Sequence, residues 1–259
     1  MTTSPRPVFC LDITDFRPMV SGNALEFLRW LTRGHHGGSD ESTSETTASR
    51  LQSGGAGGPS PLELIGAWYA VGVTGHDQFR AFSLYECAGG WDGGWRQMME
   101  LYRGVPDSLF LSAIDGLRFQ ATTVPLVGAP GCPTAADIAV EPIRGPFAMV
   151  EFSQVRHGAA LDYLSAVREV RVPLLADYGY SNAGLYEVAF RRTEVCTLWV
   201  GDVDAQVAAQ RARDAALGLD APGLADERFL RWDEISRDFL SGQSRELMLA
   251  AYPGPALSV

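Results

Sequence analysis

The stretch Phe147-Ala148-Met149-Val150-Glu151-Phe152-Ser153-Gln154-Val155-Arg156 decides the architecture. Its chemistry alternates with a period of two, which predicts a strand over Phe147 to Arg156. Met149, Glu151 and Ser153 share one face; Val150 and Phe152 share the other. An earlier stretch repeats the pattern. Val8 to Asp15 reads as a strand with Cys10, Asp12 and Thr14 on one face and Phe9, Leu11 and Ile13 on the other. In both strands the wholly apolar face is expected to lie under helices. The polar face is then expected to point into an enclosed interior.

Working outward, each strand opens the same series of elements. After the first come a short helix, Gly22 to Thr32, and a hairpin of Ile65 to Thr74 and Gln78 to Cys87 around Gly75-His76-Asp77. A helix over Trp91 to Arg103 follows. After the second come a helix from Ala159 to Leu175, with Leu161, Leu164, Val167 and Val170 as its apolar face, and a hairpin of Ala183 to Phe190 and Glu194 to Val200. Two helices close the series: Asp202 to Leu217, which Asp202 can cap, and Phe229 to Leu240. Positions correspond between the halves. Leu11-Asp12-Ile13 matches Val150-Glu151-Phe152, and Gly66-Ala67-Trp68 matches Gly184-Leu185-Tyr186. Ser83-Leu84-Tyr85 matches Thr197-Leu198-Trp199, and Asp107 with Phe110 matches Asp226 with Phe229. The offset drops from 139 to 118 residues between first strand and hairpin. An insertion in the first half explains the drop. Residues 34–60 are that insertion, so rich in Gly, Ser, Thr and acid that they are expected to be disordered.

Each half is a βαββα unit, similar to a split ferredoxin-like fold. One such sheet leaves a face bare, and a second sheet is the usual cover. The expected class is therefore α+β, two tandem ferredoxin-like repeats packed as an α+β barrel. The first repeat spans residues 7–130 and the second 145–255.

Composition narrows the partners. The chain has 259 residues, 46% hydrophobic and 20% charged, with a formal net charge of −10. That charge and the lack of a basic patch argue against nucleic acid and anionic membrane. Every basic residue is arginine. Lysine Schiff-base chemistry and a phosphate-binding P-loop are excluded. Cys10, Cys87, Cys132 and Cys196 have no paired spacing, so no metal ribbon or disulfide scaffold is expected. Reduced thiols, no signal segment at Met1 to Pro7 and no apolar run long enough to span a bilayer point to a cytoplasmic protein.

The second half resembles the NIPSNAP family of dimeric α+β barrel proteins. The residues that carry the likeness are the Arg156-His157-Gly158 turn, Gly184-Leu185-Tyr186 and Thr197-Leu198-Trp199. Arg211 and Arg213 in the next helix add to it, with Asp226, Arg228 and Trp232 before a terminal strand, Gln243 to Leu249. The resemblance covers about residues 146–252. It implies the fold and little chemistry. Related barrels include antibiotic-biosynthesis monooxygenases, polyketide cyclases and haem-binding chlorite dismutases.

The candidate catalytic groups are Asp12 and Glu151, at matching places in the two first strands. Buried together they can act as general acid and base, one with a raised pKa. The alternative is that each pairs with an arginine as structure. Trp68, Tyr85, Tyr186 and Trp199, on the hairpin strands, are candidate substrate-binding residues; strand aromatics also serve as plain core. His157 and His76 are proton-shuttle candidates or surface residues. No ligand spacing for a metal is present, and neither metal nor other cofactor is expected.

Three functions follow. The first is a cofactor-independent isomerase, cyclase or lyase acting on a hydrophobic metabolite by acid–base chemistry, as in natural-product biosynthesis. The second is a monooxygenase of the antibiotic-biosynthesis type. The third is a non-catalytic binding or scaffold protein, which a filled barrel favours. The expected partner is a hydrophobic small molecule, and a homodimer is an open assembly.

Overall fold

The computed structural model describes residues 6–16, 62–70, 80–103, 118–141, 143 and 145–250. The predicted helix at 22–32, the insertion at 34–60, the hairpin turn at 75–77 and the repeat positions Asp107 and Phe110 lie outside them.

The first half contributes β1 (Val8–Phe16), β2 (Leu62–Ala70), β3 (Arg80–Cys87), a π turn at Trp91–Trp95, α1 (Arg96–Arg103), β4 (Arg118–Gly128) and α2 (Ala135–Val140). The second contributes β5 (Phe147–Val155), α3 (Ala160–Ala166), a π turn at Val167–Arg171, α4 (Val172–Ala176), β6 (Ser181–Val188), β7 (Glu194–Gly201), α5 (Val203–Ala216), a 3-10 turn at Pro222–Leu224, α6 (Arg228–Arg237) and β8 (Leu240–Ala250). Gly158 adopts φ +81, which lets the chain leave β5 and enter α3. Asp202 caps α5: its carboxylate accepts from the Ala205 amide at 2.6 Å.

The eight strands close a barrel in the order β1-β3-β2-β8-β5-β7-β6-β4. Starting at β4, the first half runs 4-1-3-2 and the second runs 8-5-7-6, the same order displaced by four. The irregularities repeat too. Register shifts fall between Asp15 and Phe16 in β1 and between Gln154 and Val155 in β5. They fall again between Leu64 and Gly66 in β2 and between Asn182 and Gly184 in β6. Both sets match the offsets read from the sequence. The halves meet along two short seams. Trp68, Tyr69 and Ala70 pair with Ala250, Leu249 and Met248 at one. Leu126, Val127 and Gly128 pair with Val188, Glu187 and Tyr186 at the other.

The two faces of the sheet are the reverse of the sequence expectation. The wholly apolar face is the barrel interior. Phe9, Leu11, Trp68, Leu84, Leu126, Val150, Tyr186, Leu198 and Met248 meet there, drawn from all eight strands. The polar face looks outward. On the second half it lies under the helices, where Met149 and Trp199 pack with Tyr163, Leu164, Val167 and Trp232. The physical reason is enclosure. An eight-stranded ring is just wide enough for its own side chains, so a charged side chain there would find neither bulk solvent nor a helix-borne counter-ion. The interior is filled: about 10 Å³ is left beside Trp68 and Tyr186, roughly one water. Among the described residues no helix is long and apolar enough to cross a membrane.

Candidate functional site

Glu151 sits on the outward face of β5, fully buried beneath helices. Its two oxygens collect donors from four residues. Arg171 donates Nη1 to Oε2 at 2.6 Å and Nη2 to Oε1 at 2.8 Å. Arg245 donates Nε to Oε1 at 2.7 Å, with Nη2 on the same oxygen at 2.6 Å. Thr197 Oγ1 and Trp199 Nε1 each donate to Oε2 at 3.1 Å. Burial by itself would raise the proton affinity of Glu151. Arg171 and then Arg245 outweigh it and hold the carboxyl down at about 2. Glu151 is therefore a carboxylate at any physiological pH, and its acceptor capacity is full.

The local sequence explains how Arg171 gets there. Arg171 follows Leu164 by seven residues and Val167 by four, so it shares their buried side of the helix. Pro173 lacks an N–H to continue the ladder, and the ladder widens just before it: the Val172 amide reaches back five residues to the Val167 carbonyl. The guanidinium of Arg171 lies over Trp199 at 5.0 Å and Trp232 at 5.5 Å. Leu161, expected on the apolar face, turns outward and is 43% exposed.

Above this ion network lies a cavity of about 360 Å³ between the outer face of the second-half sheet and its helices. Leu174, Leu175, Phe229, Trp232 and Leu240 give it apolar walls, while Arg171, Arg245, Gln243, Gln206, Arg213 and Asp233 supply polar groups. Asp233 on α6 is held by Arg213 on α5 at 2.9 Å. Gln243 Nε2 donates to Ser153 Oγ at 2.9 Å. The Tyr180 hydroxyl donates to Gln206, and burial pushes that phenol up to about 12. Glu151 does not line the cavity; the two arginines stand between it and any occupant.

The structure separates the other predicted residues from this cavity. Asp12 lies on the outward face of β1, where Thr123 Oγ1 donates to it at 2.6 Å. Burial raises its carboxyl to about 6, against the lowering effect of that bond. In the ring of eight strands β1 and β5 are opposite, so Asp12 and Glu151 share no space, contrary to the expectation of a common interior. Trp68 and Tyr186 are packed in the filled barrel. Tyr85 packs on the first half with Cys10, Cys87 and Met98. Trp199 lies under Arg171, beneath the cavity floor. His157 is exposed, and His76 is outside the described residues. All four cysteines are buried free thiols. Among the described residues no group of three His, Cys, Asp or Glu side chains gathers.

Sequence reasoning missed Arg171, Arg245 and Asp233. A signal existed for Arg171, a charge on the buried side of an apolar helix. Arg245 lies in the terminal strand of the family likeness, but nothing there joins it to Glu151, which it reaches only through the pairing of β8 with β5. Of the two helix arginines in the family likeness, Arg213 reaches the cavity rim, whereas Arg211 turns out to Asp220 at 2.9 Å.

No family model and no curated protein matches the sequence. Solved structures share the fold. A candidate monooxygenase from Fusobacterium nucleatum matches with a TM-score of 0.57 at 8% identity, over 96% of this chain and 94% of that one. An anthrone oxidase-like protein matches at 0.56 and 10% identity, over 95% and 91%. An uncharacterized NIPSNAP domain protein from Burkholderia xenovorans matches over 39% of this chain and 90% of that one, at 12% identity and a TM-score of 0.31. At these identities the likeness to the first two shows the α+β barrel fold and nothing finer.

Proposed function

We propose that the protein is an enzyme acting on a hydrophobic small molecule, and that the cavity outside the β5–β8 sheet is its active site. The observation that carries this reading is the cavity itself. About 360 Å³ of apolar-walled space ends on convergent polar groups, a size and lining suited to a small organic ligand. The barrel interior, being filled, is not the site. Its filling speaks for a scaffold only if the barrel is where ligands go.

Within this reading the roles shift from those read in the sequence. Glu151 is a positioning residue: it fixes Arg171 and Arg245 and has no capacity left to accept a proton. Asp233 is the carboxylate that faces the cavity, and it is the proton acceptor of an isomerase, cyclase or lyase reaction needing no cofactor. Asp12 takes no part in this cavity. A monooxygenase is the second reading, supported by the names attached to the barrels of matching fold.

Small molecules retained by the wild-type protein through purification from its native host test the proposal. They should be absent from Ala209→Phe, which fills the cavity from α5, and the recovered compound should be turned over on re-addition. Turnover without oxygen uptake supports the first reading, and stoichiometric uptake the second. Identical retention by wild type and Ala209→Phe would sink both.

A further inference from the structure

We infer that the cavity takes an organic monoanion, such as a carboxylate or a phenolate, with its charged oxygen on Arg245. This rests on the reading of the cavity as a small-molecule site and adds the charge class of its occupant. The charged side chains that line the cavity are Arg171, Arg213 and Arg245 against Asp233; beyond them Glu151 bonds to Arg171 and Arg245 at the floor, and Asp214 to the lining Gln210. Arg213 and Asp233 neutralise each other. At the floor, two guanidinium groups share one carboxylate, so one positive charge is left over. Arg171 cannot present it. That side chain is only 7% exposed, and both its terminal nitrogens are turned to Glu151.

Arg245 can present it. Its side chain is 37% exposed. Its Nε and Nη2 both point at Glu151 Oε1, which fixes the plane of the guanidinium and leaves Nη1 for an occupant. A group held in one orientation by a buried carboxylate loses little freedom on binding, which favours a directed, charge-assisted bond. The floor is also walled by Leu174, Phe229 and Trp232, which lower the local dielectric and strengthen that bond. The chain as a whole carries −10. At physiological salt, charges farther than about 8 Å are largely screened, so an oxygen in direct contact with Arg245 responds to the excess at the floor rather than to the chain's total.

Binding of 2-naphthoate and its uncharged isostere 2-naphthamide tests the inference by calorimetry on the intact chain. The acid is expected to bind about tenfold or more tightly than the amide, as one charge-assisted hydrogen bond would give. Arg245→Gln should bring the two affinities together, whereas Arg245→Lys should keep the preference. On the wild type alone, added salt should weaken the acid and leave the amide unchanged. That measurement decides the matter should Arg245→Gln fail to fold. Equal affinity of both probes for the wild type, or salt-insensitive binding of the acid, overturns the charge assignment while leaving the small-molecule reading intact. So does a preference that survives in folded Arg245→Gln. Failure of both probes to bind overturns the two together.

Discussion

Asp12 and Glu151 stand on opposite sides of one barrel, four strands apart in either direction, each the outward carboxylate at the same position of its half. Asp12 pairs across to Ser83 and Thr123; Glu151 pairs across to Thr197 and Arg245. Arg171, and then Arg245 at the place where Asp12 has Thr123, give the two carboxylates opposite electrostatics. One is held far down by guanidinium groups and the other is pushed up by burial.

Glu151→Gln leaves Arg171 buried without its counter-charge. The expected loss is about 3–5 kcal/mol, read from urea unfolding at pH 7. The carboxyl is held at about 2 in the folded chain, below its ordinary 4.5. Its contribution is therefore present above pH 4.5 and lost as the pH falls toward 2. Wild type should lose stability across that window more steeply than Glu151→Gln; parallel curves would contradict the network.

Asp12→Asn should act in the other direction. The folded value of about 6 lies above the ordinary 3.8. Its favourable contribution is complete below pH 3.8 and disappears as the pH rises through 6. At pH 7.5 the asparagine variant should be the more stable by about 1–3 kcal/mol, keeping an oxygen for Thr123 to donate to. The gap should close on acidification to pH 4. A less stable variant at pH 7.5 would mean that the carboxylate is stabilised rather than penalised.

Gly184→Ala places a methyl inside the ring of Tyr186, and that ring is packed in the barrel. Overpacking of this kind costs about 1–3 kcal/mol. Tyr186→Leu in the same chain should recover part of it. Additive losses in the two single variants would show that the ring is not the obstacle.

Arg211 and Arg213 are two residues apart on α5 and should differ in function. Arg213→Ala frees Asp233 at the cavity and should lower turnover of the cavity's substrate severalfold. Arg211→Ala breaks an exposed pair with Asp220 and should leave turnover unchanged. Equal effects would remove Asp233 from the mechanism.

The first strand and the hairpin of each half were legible because alternation is a local property; β4, Arg118–Gly128, was not legible as a strand. Val8 to Asp15 and Glu194 to Val200 are within a residue or two of the observed β1 and β7. Which face turns inward is not local. Met149, Glu151 and Ser153 look like the lining of an interior until the closure of the ring is known, because a charge buried under a helix and a charge facing a cavity have the same sequence pattern. The wholly apolar Val150 and Phe152 face carried the better signal. The sequence marks Glu151 as an acid or base facing an interior, whereas the structure makes it the centre of an ion network whose arginines were not legible. Arg171 is 20 residues away and Arg245 is 94, and no spacing rule joins residues brought together by β8 pairing with β5. β4 also contains Pro125, a residue type that argues against a strand interior; here pairing with β6 begins only at the next residue, Leu126.

The two seams, β2 with β8 and β4 with β6, join strands of a single polypeptide. Ring closure is thus an intramolecular event, set by the effective concentration of one half near the other and indifferent to dilution. The melting midpoint of the barrel should stay constant over a thousandfold change in protein concentration, where a ring made from two separate chains would follow mass action. Covalent linkage also frees the halves from matching each other. A substitution in a ring of two identical chains is made twice, whereas here Arg245 stands beside Glu151 and Thr123 at the equivalent place beside Asp12.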